Sequence, residues 1–250
     1  MFSEQNNDSF AYMVKSHPEL ETMIQAIIDE NKRTTSMFVH ELRNPLSLLR
    51  GTIQYIETKH PETVEYKYWS QLQDLVNDME HMMADASILN NYNSLVKENT
   101  DLITLVNNVK NSFMPQASSK QIDLYLTIEP GCEPYFLSYH CDALKLKQAL
   151  SNLIKNAFEA TKPGDYIHLG LCHVLGTEQV PPKLVIQIIN NGLPIPEYEI
   201  DNIFVPFVTY KKGGTGIGLA VVKKIIDLHY GSISVISNDE IIQFTILLPL

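Results

Sequence analysis

The sequence predicts an α+β protein built from a helical N-terminal part and a mixed α/β C-terminal part. In the first part, apolar residues recur at spacings of three, four and seven, as one face of an α-helix requires. After residue 93, segments with a helical period are separated by short segments in which apolar and polar residues alternate, as is typical of β-strands. We therefore predict a lead-in at residues 1–18, a helical region at 19–93 and an α/β domain at 94–250.

Two long helices are predicted in the helical region. The first extends to about Lys59, and Pro61, after the break at His60, is expected to open the second. Because an isolated helical hairpin cannot cover both of its apolar stripes, we expect an antiparallel hairpin that pairs with a second copy as a dimeric four-helix bundle. The first stripe comprises Leu20, Ile24, Ile27, Phe38, Leu42, Leu49, Ile53 and Ile56, and the second Tyr68, Leu72, Leu75, Met79, Met82, Ala86 and Leu89.

The C-terminal part is predicted to alternate helices and strands. A helix near residues 102–109 precedes a strand at 122–128, and Asp142 is expected to cap a helix that ends near Thr161. Strands are predicted at 166–174, 184–190, 232–237 and 241–248, with a short helix near 197–202 and a longer one at 217–229.

Composition excludes several classes of function. The 250 residues carry a net charge of −10, and no basic stripe is visible, which counts against nucleic-acid binding. No run of about 18 apolar residues occurs, so we expect no membrane span and a cytoplasmic protein. Three cysteines without metal-ligand spacing are expected to be reduced thiols.

The stretch Phe38 to Leu46, FVHELRNPL, places an exposed histidine beside a proline within the first helix. His40 lies about 200° around the helix from Phe38, so its imidazole is expected to face solvent. Pro45 has no N–H and crowds the carbonyl of Glu41, and the helix is therefore expected to bend or loosen there.

These residues resemble the H box of sensor histidine kinases. In that family the histidine is phosphorylated from ATP and passes the phosphoryl group to an aspartate of a response regulator. The resemblance implies that His40 is the nucleophile, that Glu41 orients its imidazole, and that Asn44 places a water or the acyl phosphate during dephosphorylation of the regulator.

A second motif lies on the helix that follows Asp142. Asn152 and Asn156 are four residues apart and therefore share one face. The string NLIKNAFEA resembles the N box of the same kinases and of the wider ATPase family that includes gyrase and MutL. The resemblance implies that Asn156 is a magnesium ligand. ATP-hydrolysing relatives carry a glutamate at the position of Asn152, and an amide cannot act as that base, which favours transfer to a protein.

The string IINNGLPI, residues 188–195, resembles the G1 box of these kinases, with two departures from the common pattern. Asn190 stands where an aspartate usually accepts the adenine amino group, and Pro194 replaces the second glycine that follows Gly192. The amide oxygen of Asn190 still accepts that hydrogen bond, but without the charge, so adenine binding is expected to weaken by about 1 kcal/mol.

The third nucleotide motif is the most specific. Phe204, Pro206 and Phe207 resemble the F box. The string GTGIGL, residues 214–219, resembles the G2 box at the start of a helix, where glycines let backbone N–H groups approach phosphates. The stretch before it is expected to be a mobile lid. The nucleotide-binding residues that the resemblance implies here are Thr209, Lys211, Lys212, Gly214, Thr215, Gly216, Gly218 and Leu219.

The four boxes H, N, F and G2 follow the family order and cover residues 36–250. The resemblance implies a phosphotransfer hairpin followed by an ATP-binding α/β sandwich, with ATP and Mg²⁺ as cofactors, a homodimer, and a response regulator receiver domain as partner. Three alternatives stay open: a phosphotransfer scaffold that binds ATP weakly or not at all, a serine kinase of the anti-sigma type, and a regulator phosphatase that depends on Asn44.

Overall fold

The computed structural model describes residues 18–90, 95–176, 181–211 and 214–250. The chain divides into two compact units, with the boundary between residues 92 and 93. The predicted lead-in lies almost entirely outside the described residues. Each unit is described by itself below.

The first unit is a pair of antiparallel helices. Helix α1 spans Pro18–Lys59 and helix α2 spans Trp69–Asn90. Their direction follows from two side-chain contacts, because Arg50 pairs with Glu80 while Glu57, further along α1, contacts Gln73, earlier on α2. The predicted hairpin is thus present within one chain.

The predicted start of the second helix is wrong. Pro61 opens a short 3-10 helix, Pro61–Glu65, and α2 begins only at Trp69. The hydroxyl and the backbone N–H of Thr63 both donate to the carbonyl of His60, at 2.7 and 3.0 Å. These bonds close a tight turn that a straight α-helix from Pro61 would not make.

Among the described side chains, the buried line of α1 and the predicted stripe have Ile53 in common, and the other buried residues lie outside the stripe. Val39, Leu46 and Ile53 are buried at spacings of seven, and Leu46 and Ile53 pack with Val76 of α2. By contrast, Leu42 and Leu49 are about half exposed. Positions three residues apart are neighbours on a helix, so the apolar surface of α1 is two lines wide and α2 covers only one of them. Helix α1 is continuous through Pro45.

The second unit contains a five-stranded mixed sheet. The strands of this unit are β1 Glu98–Thr100, β2 Asp123–Ile128, β3 Tyr139–Cys141, β4 Tyr166–Val174, β5 Lys183–Asn190, β6 Ser232–Ser237 and β7 Ile242–Pro249. The order in the sheet is β2-β4-β5-β7-β6, with β2 parallel to β4 and the other neighbours antiparallel. A separate antiparallel pair joins β1 to β3.

Helices of this unit pack against the sheet and against one another. The helices are α3 Leu102–Lys120, α4 Glu133–Phe136, α5 Ala143–Ala160, α6 Glu197–Ile200 and α7 Gly218–Leu228. Helix α5 contacts α3, α7, β4 and β5. The buried core includes the apolar sides of these three helices and alternate residues of the central strands, such as Ile167, Ile188 and Phe244. The predicted α+β class with a mixed sheet is confirmed. The short elements β1, β3 and α4 were not predicted.

Among the described residues, no helix is both long enough and apolar enough to cross a membrane.

Candidate active site

Helix α5 is the element around which the predicted nucleotide residues gather. Asp142 caps its start, because the carboxylate accepts a hydrogen bond from the backbone N–H of Lys145 at 3.0 Å. The apolar side of α5 is buried, whereas Asn152 and Asn156 are only partly buried. The two amides therefore lie at the edge of the core, where they are able to contact other segments.

Asn152 connects α5 to the first residue of α7. Its side-chain Nδ2 donates to the carbonyl oxygen of Gly218 at 3.3 Å. The residue before α7, Ile217, provides no side-chain cap, so the first N–H groups of this eleven-residue helix receive no bond from a capping side chain. An uncapped helix N-terminus favours anionic groups such as phosphate.

Asn156 connects α5 to the loop that precedes α7. Its Oδ1 accepts a hydrogen bond from the ammonium of Lys211 at 2.5 Å. The same ammonium lies 2.7 Å from Oε2 of Glu159, one turn further along α5. The sequence motifs assign no role to Glu159, although its position three residues after Asn156 places both side chains on one face of the helix.

Asn190 ends β5 and is 1% exposed. Its Nδ2 atom is buried and has no hydrogen-bond partner within the part of the chain that the structure describes. A buried amide donor without a partner is costly, and in native proteins such a group commonly serves a ligand or an ordered water. Asn190 therefore provides an unused hydrogen-bond donor beside the amide oxygen that is expected to accept from the base.

At two positions of the motifs, Gly192 and Gly216, the neighbouring backbone is too close to leave room for a side chain. A Cβ on Gly192 would lie 2.3 Å from the carbonyl oxygen of Ala160, the last residue of α5, and a Cβ on Gly216 would lie 2.6 Å from that of Val208. Gly216 also has φ +67. These contacts hold the loop after β5 against α5, and fold the loop before α7 back on itself.

The remaining predicted residues of the loop are described in part. Thr209 accepts a hydrogen bond from the backbone N–H of Lys211 at 3.2 Å. Gly214 and Thr215 are exposed, and Leu219 is half-buried in the first turn of α7. Lys212 lies outside the described residues.

The predicted phosphotransfer residues lie on α1, in the other unit. Glu41 and Asn44 are exposed, as Pro45 is. Helix α1 carries His40, whose side chain lies outside the described residues, as does that of Phe38.

The residues of this site are chemically suited to bind a complex of Mg²⁺ with a nucleotide. Asn156 presents an amide oxygen, which is a suitable ligand for Mg²⁺, while Lys211 and the start of α7 are suited to phosphates. The unpartnered amide of Asn190 is suited to a base. Two hydrogen bonds connect these groups: Asn152 donates to Gly218, and Asn156 accepts from Lys211.

Comparison with known proteins also indicates a nucleotide-binding domain. Residues 141–250 match the family described as histidine kinase-, DNA gyrase B- and HSP90-like ATPases. The catalytic domain of the histidine kinase ThkA, in a nucleotide-free form, superposes with a TM-score of 0.54 at 30% identity, covering 61% of this chain and 95% of that one. The fold and site thus define an ATPase-type domain of this kind.

Full-length relatives extend the likeness into the helical unit. Sporulation kinase B of Bacillus subtilis (strain 168) is 30% identical over 234 residues, which is 89% of this chain and 51% of that protein. The sensor histidine kinase ZraS of Escherichia coli (strain K12) is 30% identical over 236 residues, 90% of this chain and 49% of that protein. The chain belongs to the sensor histidine kinases, and it spans about half the length of these curated relatives.

Proposed function

We propose that this protein is an ATP-dependent histidine kinase that autophosphorylates on His40 and transfers the phosphoryl group to an aspartate of a response regulator. The observation that carries the proposal is the pair of contacts made by α5, in which Asn152 touches the start of α7 and Asn156 touches Lys211. They support the proposal because an amide oxygen, the start of a helix and an ammonium group, each suited to one part of a magnesium–nucleotide, all contact α5.

The protein's part in the reaction is positioning and electrostatics. Mg²⁺, when bound, would neutralise charge on the triphosphate. Asn156 is the residue that would hold it, and Lys211 and the first N–H groups of α7 would bind the phosphate oxygens. These groups hold the γ-phosphate in one orientation as its charge redistributes.

His40 is the nucleophile of the proposed reaction. A neutral imidazole nitrogen attacks the γ-phosphorus in line, a nitrogen–phosphorus bond forms, and the bond to the bridging oxygen breaks, so that ADP departs with its electron pair. Glu41 accepts a hydrogen bond from the other ring nitrogen, which fixes the tautomer and stabilises the positive charge that develops on the ring.

The proposed assembly is a homodimer in which two hairpins form a four-helix bundle. Its support is the apolar surface that the hairpin leaves exposed, since Leu42, Leu49, Leu75 and Met79 are each between 48% and 61% exposed. A second copy that buries this surface would remove it from water. Sedimentation should detect a dimer in the wild type, and Leu75→Glu should shift it to monomer. The same change at Leu144, in the sheet unit, should not.

The activity is tested by incubation with γ-labelled ATP and Mg²⁺. We expect label on the protein that is lost in acid and retained in base, and that is absent from His40→Gln, while His40→Gln still binds ADP. Transfer is tested by adding a receiver domain and following the movement of label to it. Label that persists in His40→Gln would overturn the assignment, whereas absence of both label and ADP binding would favour a phosphotransfer scaffold.

A further inference from the structure

The ammonium of Lys211 donates a hydrogen bond to Asn156 Oδ1, the oxygen that would bind Mg²⁺ in the proposed function. Lys211 Nζ lies 2.5 Å from Asn156 Oδ1 and 2.7 Å from Glu159 Oε2, so one cation bridges two oxygens of α5. A lysine ammonium has three donors and no acceptor, which makes it, like Mg²⁺, a cation that seeks oxygen atoms.

Glu159 is the part of this arrangement that no motif explains. Its side chain is 58% exposed and that of Lys211 is 47% exposed. An ion pair this exposed contributes little to stability, so folding gives no strong reason for the contact. The carboxylate and the amide oxygen of Asn156 share the ammonium of the long, flexible lysine side chain.

The backbone of Lys211 is also held in place. Its N–H donates to the hydroxyl of Thr209 at 3.2 Å, and its carbonyl accepts from the N–H of Gly214 at 3.1 Å. With the main chain anchored by the loop, the two oxygens of α5 select one direction for the side chain.

We propose, on the basis of the proposed function, that Glu159 is a positioning residue for Lys211. It holds the ammonium on Asn156 Oδ1, where the lysine substitutes for Mg²⁺ until a magnesium–nucleotide binds. The ammonium and the metal then compete for the same oxygen. Once displaced, the ammonium remains within reach of the phosphates because its backbone stays anchored beside α5.

This arrangement predicts how nucleotide affinity depends on the metal. Without Mg²⁺, the ammonium on Asn156 provides the positive charge beside the phosphates, so loss of the Glu159 carboxylate weakens binding. At saturating Mg²⁺ the metal supplies that charge, and the carboxylate matters less. Because Glu159 acts only through Lys211, its removal has no further effect when the lysine is absent.

The test is calorimetric titration of the full chain with ADP, in EDTA and at saturating Mg²⁺. In EDTA, Glu159→Gln should raise the Kd about two- to fivefold, the range typical of an exposed ion pair. The change should fall below about twofold with Mg²⁺, and the double variant with Lys211→Met should bind as Lys211→Met alone does. Glu240→Gln, the same chemical change in the exposed turn between β6 and β7, is the control and should leave the Kd unchanged.

Several results would overturn the inference while leaving the kinase assignment intact. They are an unchanged Kd for Glu159→Gln in EDTA, an effect of equal size in the Lys211→Met background or at saturating Mg²⁺, and binding of ADP by the wild type only when Mg²⁺ is present. If the wild type binds no ADP under either condition and gains no label on His40, the inference and the proposed function both fail.

Discussion

The imidazole of His229 accepts a hydrogen bond through Nε2 from the backbone N–H of Asp142, at a distance of 3.0 Å. Its Nδ1 donates to the carbonyl of Ile225 at 2.8 Å, so the neutral Nδ1–H tautomer satisfies both partners. His229 follows the last residue of α7 and Asp142 precedes α5. The contact therefore joins the two helices that carry the nucleotide motifs.

Protonation of His229 is expected to break this contact. Burial lowers the pKa of His229 below its usual value of 6.5, and the nearby ammonium groups of Lys97 and Lys145 lower it further, against the opposing effects of Ile225 and Asp142. The unfolded chain thus binds a proton more readily than the folded one between the lowered pKa and 6.5. The stability contributed by neutral His229 is complete above about pH 6.5 and is lost as the pH falls below it.

The first prediction concerns His229→Phe. The change leaves the buried N–H of Asp142 without an acceptor and should cost about 1–3 kcal/mol of unfolding free energy at pH 7.5. It should also make the decline in stability between pH 7 and pH 5.5 less steep, although His168, whose pKa is lowered by burial as well, still contributes to that decline. Urea unfolding followed by circular dichroism measures both.

The control for His229 is His140→Gln, because His140 is exposed on β3. This variant should retain the wild-type dependence on pH. The carboxyl of Asp142 does not change its charge in this pH range. Burial acts to raise its pKa, but hydrogen bonds from Lys145 and Val96 outweigh burial and keep the pKa below the usual 3.8. A decline in His229→Phe as steep as that of the wild type would contradict the prediction.

The second prediction concerns Asn190→Asp. A carboxylate accepts a hydrogen bond from the adenine amino group more strongly than an amide does, so ADP should bind about fivefold more tightly, equivalent to about 1 kcal/mol. Without nucleotide the same variant should unfold more easily, because position 190 is buried and an unpaired charge there is unfavourable. Calorimetry with ADP and urea unfolding measure the two effects.

Asn191→Asp is the matched control for this substitution. The side-chain oxygen of Asn191 accepts from the backbone N–H of Tyr166 at 2.8 Å, and a carboxylate would preserve that bond. Its affinity for ADP should match that of the wild type. Weaker binding in Asn190→Asp would show that position 190 does not contact the adenine amino group.

The third prediction compares two glycines of the nucleotide motifs. Gly192→Ala would place a Cβ 2.3 Å from the carbonyl oxygen of Ala160, next to the bond that Leu193 N–H donates to the same oxygen at 2.9 Å. The backbone must shift to relieve this clash, at a cost of about 1–3 kcal/mol. At Gly218 a Cβ would meet only the side chain of Asn152, at 3.8 Å, so Gly218→Ala should fold normally. Equal stability of the two variants by urea unfolding would contradict the packing argument.

The fourth prediction concerns the hairpin. The indole N–H of Trp69 donates to Glu57 at 2.7 Å, and Gln73 donates to the same carboxylate. Glu57→Ala leaves the half-buried indole without this acceptor and should destabilise the hairpin by about 1 kcal/mol. Trp69 is the only tryptophan of the chain, so its fluorescence during urea unfolding reports on the helical unit.

Glu65→Ala serves as the control for Glu57→Ala, because Glu65 is exposed at the end of the 3-10 helix. Its unfolding midpoint should stay at the wild-type value. A shift of the same size in both variants would mean that a general loss of negative charge, and not the contact with Trp69, is responsible.

Local pattern was sufficient to predict most elements of the sheet unit. Asp142 is an N-cap residue and Thr161 ends the same helix, as predicted, because both assignments depend on interactions within one helical turn. Strands of three residues such as β1 and β3 carry too little alternation to be recognised. They form because the chain brings Glu98 and Cys141 together across more than forty residues.

The helical unit shows where periodicity alone was insufficient. Both lines of apolar residues on α1 satisfy a helical repeat. Ile53 belongs to the predicted stripe, but only the packing of Val76 and Trp69 determines that Leu46 is buried beside it while Leu49 is exposed. The start of α2 was likewise decided by the hydrogen bonds around Thr63, which follow from how the chain reverses at this point.

The sequence by itself determined the α+β class and the family, because helical period, strand alternation and motif order are local or linear properties. Only the tertiary structure revealed the contact of Lys211 with Asn156 and Glu159, the unpartnered amide of Asn190 and the bond between His229 and Asp142. The residues in each of these contacts are distant in the chain, or depend on burial by distant residues. Their pairing depends on how α5 and α7 pack on the sheet and on the path of the loop before α7. Neither can be predicted from the spacing of residues in the sequence.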